Sequence, residues 1–234
     1  MFKILSVNNK HLRLNICFTL AEMMVVMTIV AIMAMLTIPT VVKTNRDRAF
    51  SDMLAKEYQK IETALILNKI LAFDVSEYQI SAIGHPYKPE EFFELLLKKL
   101  KTIKNCGHTE EGCFGNTNLQ GYKLRLVTGA GILVNDDFRG QRDSVDSSNK
   151  ILGATYIDID GPIGANKPGI DQFGFYTTKK GLIPMGGPQD TIVPFSYCLQ
   201  NGGFACTAWV LINKNMDYKN CPNVINWETK KTCN

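Results

Sequence analysis

Three aspartates, Asp158, Asp160 and Asp171, bracket the glycine-rich stretch DIDGPIGANKPGID. Acids two apart at the head of such a turn can point at one ion, and an oxygen-only set of that kind suits calcium. The stretch lacks the glutamate at the twelfth position with which a helix-loop-helix site grips its ion, so a solvated turn between strands is the simpler reading. No cofactor is required here, and calcium is the ion the loop could take.

The cysteines offer a second kind of chemistry. His108 lies between Cys106 and Cys113 in CGHTEEGC, half of a zinc site in residue type. There is no C-x-x-C pair and no identified fourth ligand, which argues against zinc. Cys106, Cys113, Cys198, Cys206, Cys221 and Cys233 form an even set, as three disulfides in an oxidising compartment would need. Pairing in sequence order would close three short loops, but six cysteines allow fifteen pairings and spacing does not choose among them.

Signatures of catalysis are missing. There is no G-x-S-x-G, no P-loop and no H-E-x-x-H, and His11, His85 and His108 are scattered. The expectation is a protein that is not an enzyme.

A further carboxylate, Glu22, stands inside the apolar run CFTLAEMMVVMTIVAIMAMLTIP. From Phe18 to Val42 it is the only charge in 25 residues. As a helix that segment would extend ~37 Å, enough to cross a bilayer core of ~30 Å. The preceding residues 1–17 carry Lys3, Lys10 and Arg13 and no acid, the charge of a segment kept on the cytoplasmic side. They hold three of the 26 basic side chains, which leaves 23 basic against 22 acidic residues beyond them. A nearly neutral remainder gives no electrostatic case for nucleic acid. The apolar run is longer than a secretory signal and ends without a small-residue cleavage site. It follows Cys17 instead of preceding it, unlike a lipoprotein signal.

Beyond the apolar run, Ala49, Phe50, Met53, Leu54, Ile61, Ala64, Leu65 and Ile70 recur at helical spacing with Arg46, Lys56, Glu57, Lys60 and Glu62 between them. The pattern predicts that the helix continues as an amphipathic segment over residues 43–73, with a kink or melt near Pro39. YKPEEFFELLLKKLKTI, residues 87–103, predicts a second, shorter helix. Strands are expected at Tyr122–Thr128, Gly131–Asn135, Thr155–Ile159, Phe173–Thr178 and Ala208–Asn213, the last with Trp209 and Leu211 facing the core. Residues 139–150 form the best candidate for a mobile loop, and Asp136 and Asp137 are expected in a turn. The fold class is therefore α+β: a long N-terminal hydrophobic helix packed against an antiparallel-sheet head, residues 74–234, with disulfides.

FTLAEMMVVMTIVAIMAMLTIP resembles the N-terminal signature of type IV pilins and type II secretion pseudopilins. The matching features are Phe18, Thr19 and Leu20, Glu22 as the fifth residue from Phe18, and Pro39 within the helix; Cys17 stands where the family usually has glycine. The resemblance implies a leader of residues 1–17, cleaved by a prepilin peptidase between Cys17 and Phe18, and methylation of the new amine. It implies a transmembrane and filament-core helix over residues 18–42, with Glu22 and Pro39 serving assembly. Glu22 would pair with the amine of a neighbouring Phe18 once water is excluded. The implied partners are identical or related subunits, the peptidase, an inner-membrane assembly platform with its ATPase, and the lipid bilayer before assembly. The implied location is the bacterial cytoplasmic membrane, single-pass with the head outside, and then an extracytoplasmic filament. The alternative is a membrane-anchored extracytoplasmic binding or enzymatic domain that does not polymerise, with Glu22 reaching the headgroups.

Overall fold

The computed structural model describes residues 19–67, 99–108, 111–115, 118–135, 151–178 and 181–233. The leader with Cys17 and Phe18, the helix end at 68–73, most of the 87–103 helix, Asp136 and Asp137, and the 139–150 loop lie outside the described residues.

Helix α1 runs over Leu20–Leu67, 48 residues, and its helical assignment continues without a break through position 39. The expected melt is therefore absent. The chain divides after Thr44 into two compact units, and α1 contributes to both.

In the second unit the sheet is a six-stranded antiparallel meander, each strand paired with its sequence neighbours. The strands are β1 Thr102–Gly107, β2 Tyr122–Leu126, β3 Gly131–Asn135, β4 Ile151–Asp158, β5 Gln172–Thr178 and β6 Gly181–Pro184. Register puts Leu124, Ile132, Ile157 and Phe173 side by side across four strands. Because side chains alternate between faces, this row and the one through Val134 and Phe175 belong to one surface. That surface packs with Leu54, Ile61, Ala64 and Leu65 of α1 in a single core. These helix residues, with Asp47, Ser51 and Glu57, recur at three- and four-residue spacing and are buried, which is why this part of α1 is amphipathic. Tyr58 stacks on Phe175 at 5.5 Å and donates its hydroxyl to Leu182 O at 3.2 Å. On the other face Leu133, Tyr156 and Tyr176 pack with Phe114 and Met185. Strand β5 is buried on both sides.

After the sheet come α2, Phe195–Asn201, a 3-10 turn at Phe204–Cys206, and α3, Thr207–Asn213. Here the strand expected at Ala208–Asn213 is corrected: the segment is helical. Seven residues are too few for period to separate strand from helix, and Ala208, Trp209 and Val210 are all buried in succession. Trp209 does lie in the core, stacked on Phe195 at 4.7 Å. Lys214 ends α3 in the left-handed conformation, its N–H on Val210 O. A second correction falls at the end of the expected 87–103 helix. Lys99 is helical, but Thr102 and Ile103 already belong to β1, whose Cys106 is tied back to Cys113. Strand β6 was not foreseen; its Pro184 is tolerated at the sheet edge.

Candidate functional site

The N-terminal part of α1 is apolar all round because its sequence has no polar face to offer. Between Leu20 and Val42 the large hydrophobic side chains are 46–80% exposed. This helix is long and apolar enough to cross a membrane. From Ser51 onward the same helix is buried on one side in its head.

Glu22 stands in the first turn, and its neighbour Thr19 gives it a specific job. The Thr19 N–H and hydroxyl both donate to Glu22 Oε2, at 2.8 and 2.9 Å, and the Glu22 N–H returns a bond to Thr19 Oγ1 at 3.2 Å. This reciprocal cap satisfies two donors that a helix start leaves open. The signal for this cap is present in the sequence as Thr19-x-x-Glu22. Glu22 is exposed along with Thr19, so the carboxylate that caps its own helix also faces outward. Pro39 falls inside α1.

The six cysteines pair in sequence order. Cys106–Cys113, Cys198–Cys206 and Cys221–Cys233 are bonded, with Cα atoms 6.0, 4.9 and 5.6 Å apart. With Cys106 and Cys113 bonded to each other, neither offers zinc a thiolate; His108 meets the edge of Tyr122 at 5.3 Å. Disulfides of this number fit an extracytoplasmic head.

The three sequence-selected aspartates occupy the β4–β5 connection. Asp158 and Asp171 are buried, while Asp160 is partly exposed. Asp171 accepts the N–H of Asn166 at 2.8 Å on one oxygen and that of Lys167 at 2.6 Å on the other, bracing the loop from within. Asp158 accepts the Gly115 N–H and the Gln172 amide, both at 3.0 Å on Oδ2. Burial pushes the Asp158 carboxyl up to about 7; those two hydrogen bonds oppose the shift, and the charges of Asp171 and Asp160 add to it. Among the described residues no three His, Cys, Asp or Glu side chains are grouped as a metal site.

Another acid, Asp190, is buried, and no motif in the sequence marks it. It accepts the N–H groups of Gly186, Ile192 and Val193 at 2.8–3.0 Å and the Tyr176 hydroxyl at 3.0 and 3.1 Å. Its oxygens are thus fully engaged in holding the turn after β6, a structural role.

The arrangement as a whole, a long apolar N-terminal helix leading into an antiparallel sheet with disulfides, is pilin-like in architecture. No protein-family model matches this chain, and no curated protein or solved structure does either.

Proposed function

We propose that the chain is a prepilin-like structural subunit. It is made as a single-pass precursor in a bacterial cytoplasmic membrane, cut between Cys17 and Phe18, and polymerised through α1 into a type IV pilus or type II secretion pseudopilus. The observation that carries this reading is the unequal treatment of one helix. From Ser51 onward one side of it is buried in its own head, whereas the large side chains of Leu20–Val42 are uncovered on every side. An apolar cylinder of that length needs lipid or other helices around it. In a filament, sister helices replace the lipid.

Glu22 is the second support. It lies one turn inside the apolar run and faces outward, where a neighbouring subunit's Phe18 amine would find it. Charge pairing is strongest where water is excluded, so such a contact would set the stagger between subunits. The disulfide-bonded head then projects from the filament core. In this role the chain is building material, not a catalyst, and its partners are related subunits, the processing peptidase and the membrane assembly machine.

The test is the intact mass of the chain from its own cell envelope, together with sheared filaments from cells carrying Glu22→Val. The expected results are a chain that begins at N-methylated Phe18 with six oxidised cysteines, and a variant that is inserted and processed but yields no filaments. A chain that retains residues 1–17, or filaments of Glu22→Val at the normal level, would favour a membrane-anchored domain that does not polymerise.

A further inference from the structure

Six large hydrophobic side chains are exposed among the described residues of the second unit, and three of them gather at one end of the sheet. Ile103, Val127 and Ile163 are 59%, 55% and 64% exposed. They come from three separate segments. Ile103 lies at the start of β1, where a register shift between Thr102 and Lys104 bulges it out of the strand pairing. The Val127 N–H donates to Lys101 O at 2.9 Å, which fixes the β2–β3 turn beside the start of β1. On the other side of that turn, Gly161 approaches so closely that a Cβ there would run into Gly129 O, which fixes the beginning of the β4–β5 loop against it.

The charges around these tips are of one sign. Residues 99–103, 126–131 and 161–168 hold Lys99, Lys101 and Lys167, all exposed, and no acid. The acids nearby are already engaged. Asp158 and Asp171 are buried and hydrogen-bonded, Asp47 is paired with Lys219 at 2.8 Å, and the partly exposed Asp160 feels the charge of Arg46. Aliphatic tips flanked by cations suit the surface of an anionic bilayer, where apolar groups enter the headgroup layer and lysines meet phosphate. Protein interfaces are anchored chiefly by Trp, Tyr and Arg, and none of the three stretches contains an aromatic residue.

Their place along the chain supports the same occupant. Asp47 of α1 is held by Lys219, and the adjacent Tyr218 hydroxyl donates to Gly169 O of the β4–β5 loop at 2.6 Å. The chain therefore enters the head at the end where that loop lies. Arg46 follows Val42, the last residue of the apolar run, by only four residues, which span at most ~14 Å however the two units are placed. With the apolar run in a bilayer, this end of the head is kept near the headgroup layer, which is ~5–8 Å thick on each side of the hydrocarbon core.

We propose that Ile103, Val127 and Ile163 dip into the headgroup layer of the membrane that holds the apolar run, with Lys99, Lys101 and Lys167 on anionic phospholipid headgroups. Before assembly the head is then seated on the bilayer instead of swinging above it. Such seating requires the apolar run to lie in a bilayer, as the proposed function has it, but needs no filament.

The experiment uses the full chain in nanodiscs of phosphatidylcholine alone or mixed with phosphatidylglycerol, with lipids brominated just below the headgroup as quenchers. Val127→Trp and Ile163→Trp are the reporters, read over the shared background of Trp209 and Trp227. His108→Trp is the control, because His108 follows Gly107 at the opposite end of β1. All three positions are exposed, and each variant should keep the unfolding midpoint of the native chain. In discs with phosphatidylglycerol, both reporters should be quenched at least about twofold more than the control. That quenching should fall by about half or more in phosphatidylcholine alone, and likewise when Lys101→Glu and Lys167→Glu are added.

Quenching of both reporters no greater than that of His108→Trp would overturn the proposal. Equal quenching in the two lipids and in the charge variants would overturn it too, because the lysines would then recognise nothing. A blue shift of Val127→Trp without quenching would show that another protein surface, such as a second copy of the head, covers the patch in place of lipid. A chain that fails to co-purify with the discs would sink the membrane reading itself, whereas a chain retained in the discs with unquenched reporters leaves the filament reading standing.

Discussion

Lys219 Nζ lies 2.8 Å from Asp47 Oδ1, joining side chains 172 residues apart in sequence. Their side chains are only 16% and 11% exposed, so the pair is shielded from solvent. Beside it, the Tyr218 hydroxyl donates to Gly169 O at 2.6 Å. One short 3-10 turn, Asp217–Lys219, therefore holds both α1 and the end of the β4–β5 loop. Lys219→Met should leave Asp47 buried without its cation and lower stability by about 2 kcal/mol. Asp47→Asn combined with Lys219→Met should lose less than the sum of the two single changes. Thermal unfolding of the four proteins checks this, and additive losses would show that the pair is not coupled.

The cap at the start of α1 allows the two jobs of Glu22 to be separated. Glu22→Gln retains a side-chain oxygen for Thr19 and removes only the charge. Helix content and membrane insertion should therefore match those of the native chain, while filament yield falls as it does for Glu22→Val. Thr19→Ala should show the reverse: a local loss of about 1 kcal/mol at the helix start with filaments still formed. Circular dichroism in micelles and filament yield from cells are the two readouts. Normal filaments from Glu22→Gln would mean that shape and capping, not charge, make position 22 matter.

Asp190 and Gly186 meet in the turn after β6, the Gly186 N–H donating to the Asp190 carboxylate at 2.8 Å. Gly186 has a φ of 83°, and a Cβ there would run into the backbone oxygen of Ala205. Gly186→Ala should destabilise the head by about 2 kcal/mol or more. Asp190→Ala strands three N–H groups and the Tyr176 hydroxyl, and should cost at least as much. Denaturant midpoints of the two variants test this.

The Cys221–Cys233 bridge closes the chain's last loop around Asp217, whose carboxylate accepts the Cys233 N–H at 2.9 Å. Replacing both cysteines with serine should remove about 2–3 kcal/mol by releasing loop entropy in the unfolded chain. Because the same segment presents Lys231 to the rings of Trp209 and Trp227, the loss should appear as a change in tryptophan fluorescence as well as in the unfolding midpoint.

Much of this architecture was legible from residue patterns. Strand β3 has the bounds that its apolar run indicated, and β2, β4 and β5 differ mainly at their ends. Leu54, Ile61, Ala64 and Leu65 proclaimed a helix face that the core then uses. The failures have local causes. TAWVLIN is rich in β-formers, yet burial on several sides and the Cys198–Cys206 bridge before it hold it as a helix. Strand β1 has a register shift on each side of Lys104 and Asn105, so the regular alternation that marks a strand is lost there. At the β4–β5 loop the acids stand out in the sequence, but the bracing role of Asp171 does not, because it depends on the Asn166 and Lys167 N–H groups that meet it after folding. Asp190 is illegible for the same reason: three of its four donors are backbone N–H groups, and those carry no letter in a sequence.

The six strands lie in the sheet in the order in which they are synthesised, and the disulfides span seven, eight and twelve residues without interleaving. A chain that emerges N-terminus first thus presents each cysteine with its correct mate before the next pair arrives. Closing a short loop costs less entropy than closing a long one, so each cysteine meets its near neighbour most often. Proximity along the chain thus favours these three among the fifteen possible pairings. In an extracytoplasmic head, a bridge map of this kind would ask little of an isomerase.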